Sequence, residues 1–149
     1  MNGATDLVFV DTNVLLYTLD AANPLKQAAA LRWCDVLWQS QTGRLSWQVL
    51  DEFYANATRK IGAPAPTIRR LVKAYARWKP LCFSIPLIER AWHWTDRAQL
   101  TYWDALILAA AERFNCRWLL SEDFIQKRRY APVEVISLFF TEPEGFGAA

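Results

Sequence analysis

Four acidic residues that lie far apart in the chain could together build a cation site: Asp11, Glu52, Asp104 and Asp123. Asp11 comes directly after the apolar run Leu7–Val10, and Asp123 closely follows a second apolar run. Short apolar runs of this kind are typical of buried strands in a parallel sheet. Open α/β folds place ligands at the carboxyl ends of such strands. Acids that converge there without basic partners repel one another, and a bound hard cation relieves the repulsion.

Each strand-end acid also has a purely structural interpretation. Asp11-Thr12-Asn13 precedes an apolar helix and has good capping chemistry, with Thr12 or Asn13 as a plausible cap. Position alone therefore leaves a cap and a metal ligand about equally open for Asp11. Asp123, in Ser121-Glu122-Asp123, carries the same ambiguity.

The two remaining acids belong to predicted helices. Asp51 and Glu52 flank the apolar face of their helix about symmetrically, so periodicity does not choose between them, and a solvated helix face is the alternative for either. Asp104 follows Thr101 by three residues, which fits a capping box as well as a ligand at a helix N-terminus. Both interpretations stay open at this point.

Alternating apolar patterns predict the elements that position these acids. We expect helices over 13–20, 25–40, 47–61, 67–78, 86–97 and 102–114, and strands over 7–10, 44–46, 81–85, 117–120 and 133–136. The helix after Tyr102 is apolar on all sides and should be buried. The alternation predicts an α/β fold, a three-layer α/β/α sandwich with a mainly parallel central sheet. Residues 1–149 should form one domain, with a loose tail from about 141.

Composition limits the possible functions without choosing one. The net charge of +2 is unlike a strongly basic nucleic-acid binder, although Arg outnumbers Lys twelve to five. The Lys127-Arg128-Arg129 cluster is by default a solvated surface and only secondarily a phosphate contact. A single histidine, His93, excludes a histidine-rich metal site, and we expect it to be packed or at the surface. The eight Trp residues should be core or interface anchors.

The cysteines and the apolar segments favour a cytoplasmic protein. Cys34, Cys82 and Cys116 are odd in number and widely spaced, so we expect reduced and mostly buried thiols. No segment reaches the roughly 20 apolar residues that span a bilayer, and no signal peptide is apparent.

Four motifs in order resemble the PIN-domain ribonucleases. They are Val10-Asp11-Thr12-Asn13-Val14-Leu15, Ser46 with Val49-Leu50-Asp51-Glu52-Phe53, Tyr102-Trp103-Asp104-Ala105-Leu106-Ile107, and Leu119-Leu120-Ser121-Glu122-Asp123-Phe124. The resemblance covers nearly the whole chain, and Ser121 stands where the family more often has Thr. The compact size is similar to the VapC-type toxins of bacterial type II toxin–antitoxin modules. On this resemblance Glu52, rather than Asp51, maps to the acid of the metal site.

The resemblance implies a Mg²⁺- or Mn²⁺-dependent endoribonuclease with a definite set of residue roles. Asp11 and Asp104 would be the main metal contacts, and Glu52 and Asp123 would complete the site through water or a second ion. Thr12, Asn13 and Ser121 would orient the carboxylates. The family also implies an RNA substrate such as tRNA or rRNA, a cognate antitoxin and a homodimer.

Three other functions remain as alternatives. A non-catalytic PIN-like interaction module would keep the fold without the chemistry, although it predicts eroded acids and all four are present. A general RNA-processing nuclease would act without an antitoxin. A magnesium-dependent phosphatase or receiver domain would also place Asp11 after its first strand, but no well-placed lysine follows Asp104 near a strand end.

Overall fold

The structure, a computed structural model, describes residues 6–124, 128–130 and 132–147. The strands are β1 Val8–Val10, β2 Gly43–Arg44, β3 Trp118–Leu120, β4 Arg129–Tyr130 and β5 Val133–Ile136. The helices are α1 Thr12–Tyr17, α2 Pro24–Ser40, α3 Trp47–Asn56, α4 Ala65–Tyr75, α5 Ile85–Ala98, α6 Tyr102–Arg113 and α7 Glu144–Gly147. A π-helical turn, Ala57–Ile61, extends α3, and a 3₁₀ turn, Ala76–Trp78, extends α4.

The described strands form one sheet in the order β2-β1-β3-β5-β4, in which only β4 is antiparallel. The predicted three-layer α/β/α sandwich with a mainly parallel sheet is confirmed. Val10 pairs with Leu120 in the β1–β3 register, so the residues that follow these two strands emerge side by side. This register brings the first and the fourth motif together at the carboxyl edge of the sheet.

Side-chain caps begin the helices that carry or flank the site. Ser46, Ser84 and Thr101 each accept a hydrogen bond from the backbone N–H three residues later, at the starts of α3, α5 and α6. Such caps satisfy backbone donors that the first helical turn leaves unpaired. Helix α6 is buried from Ala105 to Ala111, as its apolar sequence predicts, and it packs against β3, β5 and α5.

Helix α3 ends close to the predicted boundary. Its π-helical extension stops at Gly62, which has φ 76° and therefore adopts the left-handed conformation that ends many helices. Helix α1 begins one residue earlier than expected, because Asp11 is its N-cap instead of Thr12 or Asn13. It is nevertheless shorter than predicted, because it ends at Tyr17.

Two predicted strands are corrected. The strand expected over 44–46 is Gly43–Arg44, and Ser46 contributes only an isolated bridge to Leu81. The strand expected over 81–85 does not form, because Ser84 already caps α5 and Ile85 is its first residue. The sequence predictions also omitted β4, whose two residues are too few for a periodic pattern.

The segment predicted as a loose tail contains the helical turn α7. Phe146 in this turn packs against Trp33 and Trp118, with ring centroids 5.2 and 5.1 Å apart. Arg32 pairs with Glu142 and Glu144 beside it. Ala148 and Ala149 lie outside the described residues, and the single-domain boundary 1–149 stays a prediction.

The cysteines agree with the expected thiol chemistry. Cys34 and Cys116 are buried and Cys82 is exposed, and all three are free. Burial raises the pKa of Cys34 to about 11 and that of Cys116 to about 12, so both are neutral thiols. No described helix combines the length and the apolar character that crossing a membrane requires.

Candidate active site

A pocket of about 200 Å³ collects the predicted acids at the carboxyl edge of the sheet. Its lining includes all four: Asp11, Glu52, Asp104 and Asp123. The other lining residues are Thr12, Asn13, Leu16, Gln48, Asn56, Trp103 and Ile107. Of the predicted site residues only Ser121 is absent from this surface, and it lies buried directly behind Asp11. No lysine, arginine or histidine among the described residues lines the pocket.

Asp11 is held firmly between two strands and a helix. Its Oδ1 accepts a hydrogen bond from the Thr12 backbone N–H over 2.7 Å, and its Oδ2 accepts one from the Ser121 hydroxyl over 2.6 Å. Its own backbone N–H donates to the Leu120 carbonyl, which continues the β1–β3 ladder. The structure therefore combines the two interpretations of Asp11: it caps α1 and also faces the acidic pocket.

Burial makes the Asp11 carboxyl hard to ionise. The residue is 4% exposed, and burial is the main reason that its pKa rises from 3.8 to about 7. The nearby charges of Asp123 and Asp104 raise this pKa further, while the hydrogen bonds from Ser121 and Thr12 lower it. A cation in the pocket would favour the ionised form of this carboxyl.

Glu52 reaches the site from α3 through Thr12. The Thr12 hydroxyl donates to Glu52 Oε1 over 2.7 Å, so the residue after Asp11 positions the second acid. Asp51, by contrast, is exposed and does not line the pocket. This difference resolves the ambiguity of the helical wheel, because only one of the two acids turns toward the carboxyl ends of β1 and β3.

Asp104 lies in the first turn of α6, as its spacing from Thr101 predicts. Its backbone N–H donates to the Thr101 hydroxyl over 3.2 Å. Its pKa is raised, chiefly by burial and then by the charges of Asp123 and Glu52, while a hydrogen bond with Thr101 lowers it. Asp104 thus donates its backbone N–H to the cap of α6 and takes part in the electrostatics of the pocket at the same time.

Asp123 is the most exposed of the four acids, and Ser121 fixes its backbone. The Asp123 N–H donates to Ser121 Oγ over 3.1 Å, while the same hydroxyl donates to Asp11. One buried serine therefore connects two of the acids. Its location after β3 explains why a hydroxyl residue is useful at this position.

The oxygen-rich lining fits a hard divalent cation. Carboxylates are its charged groups, and the Asn13 Oδ1 atom is buried without a hydrogen-bond partner among the described residues. Within those residues, however, no three acidic, histidine or cysteine side chains are arranged to hold one metal ion. Mg²⁺ is commonly held by one or two carboxylates, with water and substrate phosphate as the other ligands. The donor set therefore fits Mg²⁺ better than it fits an ion that needs a complete protein cage.

Five lining residues were not predicted as site residues: the aliphatic Leu16 and Ile107, and the polar or aromatic Gln48, Asn56 and Trp103. Gln48 and Asn56 lie four residues before and after Glu52, so this polar row on one face of α3 was a usable signal. Gln48 is buried, and its Nε2 donates to the Trp103 carbonyl over 3.2 Å. Trp103 lines the pocket and is 58% exposed. Its position next to Asp104 in the sequence was the signal that could have predicted it.

The other candidate residues lie away from the pocket lining. His93 is partly buried on α5, with its ring 5.4 Å from that of Trp94, as expected for a packed histidine. Arg128 and Arg129 are exposed, and Arg129 pairs with Glu134 across the β4–β5 ladder. Lys127 lies outside the described residues, and the role of the whole cluster stays a prediction.

The fold and the pocket define an α/β domain. Its acidic site lies at the carboxyl ends of β1 and β3, which are neighbours in the sheet. The PIN domain family model matches residues 8–132, most of the 149-residue chain, and the chain therefore belongs to the PIN domain family. The resemblance of the four motifs to this family is confirmed. No curated protein matches the chain.

Two solved structures show a similar fold. The chain is 23% identical to VapC20 of Mycobacterium tuberculosis, a sarcin–ricin loop cleaving toxin, with a TM-score of 0.55 over 75% of this chain and 86% of that one. It is 12% identical to VapBC2 of Rickettsia felis, solved with a promoter DNA fragment, with a TM-score of 0.61 over 88% of this chain and 98% of that one. At these identities the likeness is one of fold.

Proposed function

We propose that this chain is a Mg²⁺- or Mn²⁺-dependent endoribonuclease that hydrolyses RNA phosphodiester bonds. The observation that carries the proposal is the convergence of Asp11, Glu52, Asp104 and Asp123 on one pocket, which no described basic residue lines. Membership of the PIN domain family supports the same chemistry. Four acids that share one site cost stability, and a catalytic cation is a reason to retain them.

Asp11 and Asp104 would be the main cation ligands, and Glu52 and Asp123 would act through water or a second ion. A bound divalent cation supplies charge neutralisation at the phosphate and lowers the pKa of a water molecule. Ser121 and Thr12 orient the carboxylates of Asp11 and Glu52 through their hydroxyl hydrogen bonds. The Asn13 amide oxygen, which is buried without a hydrogen-bond partner among the described residues, would add a neutral ligand or a contact to bound water.

Hydrolysis would proceed by attack of water at phosphorus, opposite the 3′-oxygen. The new bond joins the water oxygen to phosphorus, and the bond from phosphorus to the 3′-oxygen breaks. The leaving 3′-oxygen takes up one proton, which balances a proton lost by the attacking water. The products carry a 5′-phosphate and a 3′-hydroxyl. The chain's own contribution would be to hold carboxylate oxygens where the cation would bind, because two hydrogen bonds keep the buried carboxyl of Asp11 in place.

The substrate is proposed to be a single-stranded part of a structured RNA such as tRNA or rRNA. Sequence-specific RNA recognition generally uses unpaired bases that stack on aromatic side chains. Trp103 offers such a surface beside Asp104, and the Gln48 hydrogen bond holds its backbone. The similar fold of a toxin that cleaves the sarcin–ricin loop is consistent with a target of this kind.

We further propose that the nuclease is the toxin of a type II toxin–antitoxin pair and acts in the cytoplasm. The fold it shares with VapC20 and VapBC2 supports this assignment. A cognate antitoxin would block the acidic pocket, and a homodimer would be the active assembly. A short antitoxin-like reading frame next to the gene would support this, whereas its absence would favour a general RNA-processing nuclease.

A second candidate is a non-catalytic PIN-like interaction module. The observation that favours it is the lack, among the described residues, of three side chains arranged to hold a metal ion. Such a module would bind RNA or protein without cleaving either. Calorimetry with Mn²⁺ separates the two: the module predicts no binding to the native chain, whereas the nuclease predicts binding that needs the acids.

The decisive experiment compares cleavage of RNA by the native chain and by Asp11→Asn. Asparagine keeps the size of the side chain but has one acceptor oxygen, so it can accept from either the Thr12 N–H or the Ser121 hydroxyl and not from both. Circular dichroism therefore checks that the variant is folded. We expect native cleavage only with Mg²⁺ or Mn²⁺ and none with the variant. Cleavage by Asp11→Asn at the native rate would refute the assignment of the site.

A further inference from the structure

A second and larger concavity lies at the opposite edge of the sheet. This amino-edge cleft has a volume of about 760 Å³ and is lined chiefly by Trp38, Gly43, Arg44, Arg77, Trp78 and Lys79. Leu7, just before β1, also lines it, whereas Asp11 lies just after β1. The four residue steps from Leu7 to Asp11 span about 13 Å of extended chain. The two concavities are therefore separate sites at opposite ends of the same strand.

Aromatic rings form one side of the amino-edge cleft. The ring centroids of Trp38 and Trp78 are 5.2 Å apart, and Tyr75 packs on both. Trp78 also lies against Gly43 so closely that a Cβ atom there would overlap its ring. Trp78 is thus fixed by packing, while Trp38 remains 39% exposed at the cleft.

Basic side chains supply most of the polar character of the amino-edge cleft. Arg44, Arg77 and Lys79 line the cleft, and no carboxylate does so among the described residues. Arg44 Nη1 donates to the backbone carbonyls of Gln41 and Gly43 over 3.1 and 2.8 Å, which holds the guanidinium in place. In the described ranges these three cations form no ion pair. The cleft thus combines unpaired positive charge with an exposed indole face.

We propose that the amino-edge cleft binds a single-stranded segment of RNA, distinct from the segment that enters the acidic pocket. A base would stack on Trp38, and the neighbouring phosphates would lie against Arg77 and Lys79. Aromatic surfaces beside basic side chains are how single-stranded nucleic acids are bound without sequence preference. An acidic peptide would use the cations but not the indole face, so RNA is the better match. The choice of RNA rests on the proposed function.

The test measures binding of a fluorescein-labelled single-stranded oligoribonucleotide by fluorescence anisotropy, in EDTA so that no cleavage occurs. The cleft variants are Trp38→Ala, Trp38→Phe and the double variant Arg77→Ala with Lys79→Ala. The matched controls are Trp92→Ala and Arg97→Ala, two exposed residues of α5 that do not line the cleft. Circular dichroism checks that each variant is folded.

We expect Trp38→Ala to weaken binding about five- to hundredfold, the range for removal of one stacked base, and Trp38→Phe to restore most of it. The double variant should also weaken binding. Its plot of log binding constant against log salt concentration should be less steep, by about one unit for each phosphate that the protein no longer neutralises. The two controls should bind as the native chain does.

Two results would overturn the proposal. One is unchanged affinity in both Trp38→Ala and the double variant. The other is a change in oligomeric mass, measured by light scattering, without a change in RNA affinity, because the cleft would then join copies of the chain. Cleavage gives an independent readout: an RNA too short to reach both sites should be cut normally by the cleft variants. A native chain that binds through the cleft but never cleaves refutes only the proposed hydrolysis.

Discussion

The Ser121 hydroxyl donates to Asp11 Oδ2 over 2.6 Å, although 110 residues separate the two in the chain. The contact follows from the sheet register, in which Val10 pairs with Leu120, so that the next residue of each strand lies beside the other. Both residues are buried. The same pairing that builds the core therefore sets the position and the acidity of the first acid of the site.

Replacing Ser121 with alanine should raise the pKa of Asp11 above its value of about 7, because this hydrogen bond favours the ionised carboxylate. At pH 8 the metal-free protein should lose about 1–3 kcal/mol of stability, since a buried charged acceptor loses a donor. Carbon-13 NMR titration of Asp11 and urea unfolding measure the two effects. Where the chain cleaves RNA, the acid limb of its pH profile should move to higher pH.

Ser137→Ala is the matched control. Ser137 follows β5 as Ser121 follows β3, and it also donates to a carboxylate, Glu122 Oε2, over 2.7 Å. Glu122 does not line the acidic pocket. The control should lose stability without moving the Asp11 titration, and an equal shift in both variants would contradict the role given to Ser121.

The raised pKa of Asp11 also predicts how stability depends on pH without metal. The unfolded carboxyl titrates near 3.8 and the folded one near 7, so between these values the folded state binds more protons. Stability from this group is therefore complete below 3.8, falls as the pH rises and is fully lost above about 7. The change corresponds to about 4 kcal/mol.

Urea unfolding in EDTA at pH 4.5 and pH 8, for the native chain and Asp11→Asn, isolates this contribution. Between the two pH values the free energy of unfolding should fall more for the native chain than for the variant. The difference should be at most the whole contribution of Asp11, about 4 kcal/mol. An equal loss in both proteins would show that Asp11 does not titrate in this range. Adding Mn²⁺ at pH 8 should recover stability in the native chain only.

The sequence predicted the acids better than it predicted the elements between them. Apolar strands precede Asp11 and Asp123, so the sequence could place both at one edge of the sheet, but it left each open as a cap or a ligand. Glu52 needed the family resemblance, because a helical wheel shows the angle of a side chain but not which neighbour it faces. In the structure Thr12 supplies that neighbour.

The errors have an equally physical origin. The segment 81–85 is apolar like a strand, but Ser84 accepts the Leu87 N–H and starts α5, and local capping decided the outcome. Short edge strands such as Gly43–Arg44 and Arg129–Tyr130 are set by their partners across the sheet. Two residues hold too little pattern to reveal a long-range pairing.

Glu52→Gln should weaken Mn²⁺ binding about tenfold or more, the range for groups that support a metal site. Glutamine can still accept the Thr12 hydrogen bond, so the change removes charge and keeps the contact. The control is Asp51→Asn, an exposed neighbour on the same helix, which should bind Mn²⁺ as the native chain does. Titration calorimetry at pH 8 compares them, and equal affinity for all three proteins would favour the non-catalytic module.

Gly43→Ala should destabilise the protein by about 1–3 kcal/mol, the usual cost of overpacking a core. The added Cβ would overlap the Trp78 ring, which is held by Trp38 and Tyr75 and has little freedom to move. Gly145→Ala is the control, since a Cβ there meets no atom within 4 Å. Thermal unfolding checks the difference, and equal melting temperatures would mean that Trp78 is free to move away.

Trp103→Ala should lower kcat/KM for RNA about five- to hundredfold, mainly by raising KM, if the indole stacks on a substrate base. Trp103→Phe should recover most of the loss, because a smaller aromatic face still stacks. Trp92→Ala is the control, since its side chain is similarly exposed, 55% against 58%, and does not line the acidic pocket. A loss confined to kcat would indicate that Trp103 instead positions Asp104, its neighbour in the first turn of α6. Identical kinetics in the native chain and Trp103→Ala would exclude the stacking contact.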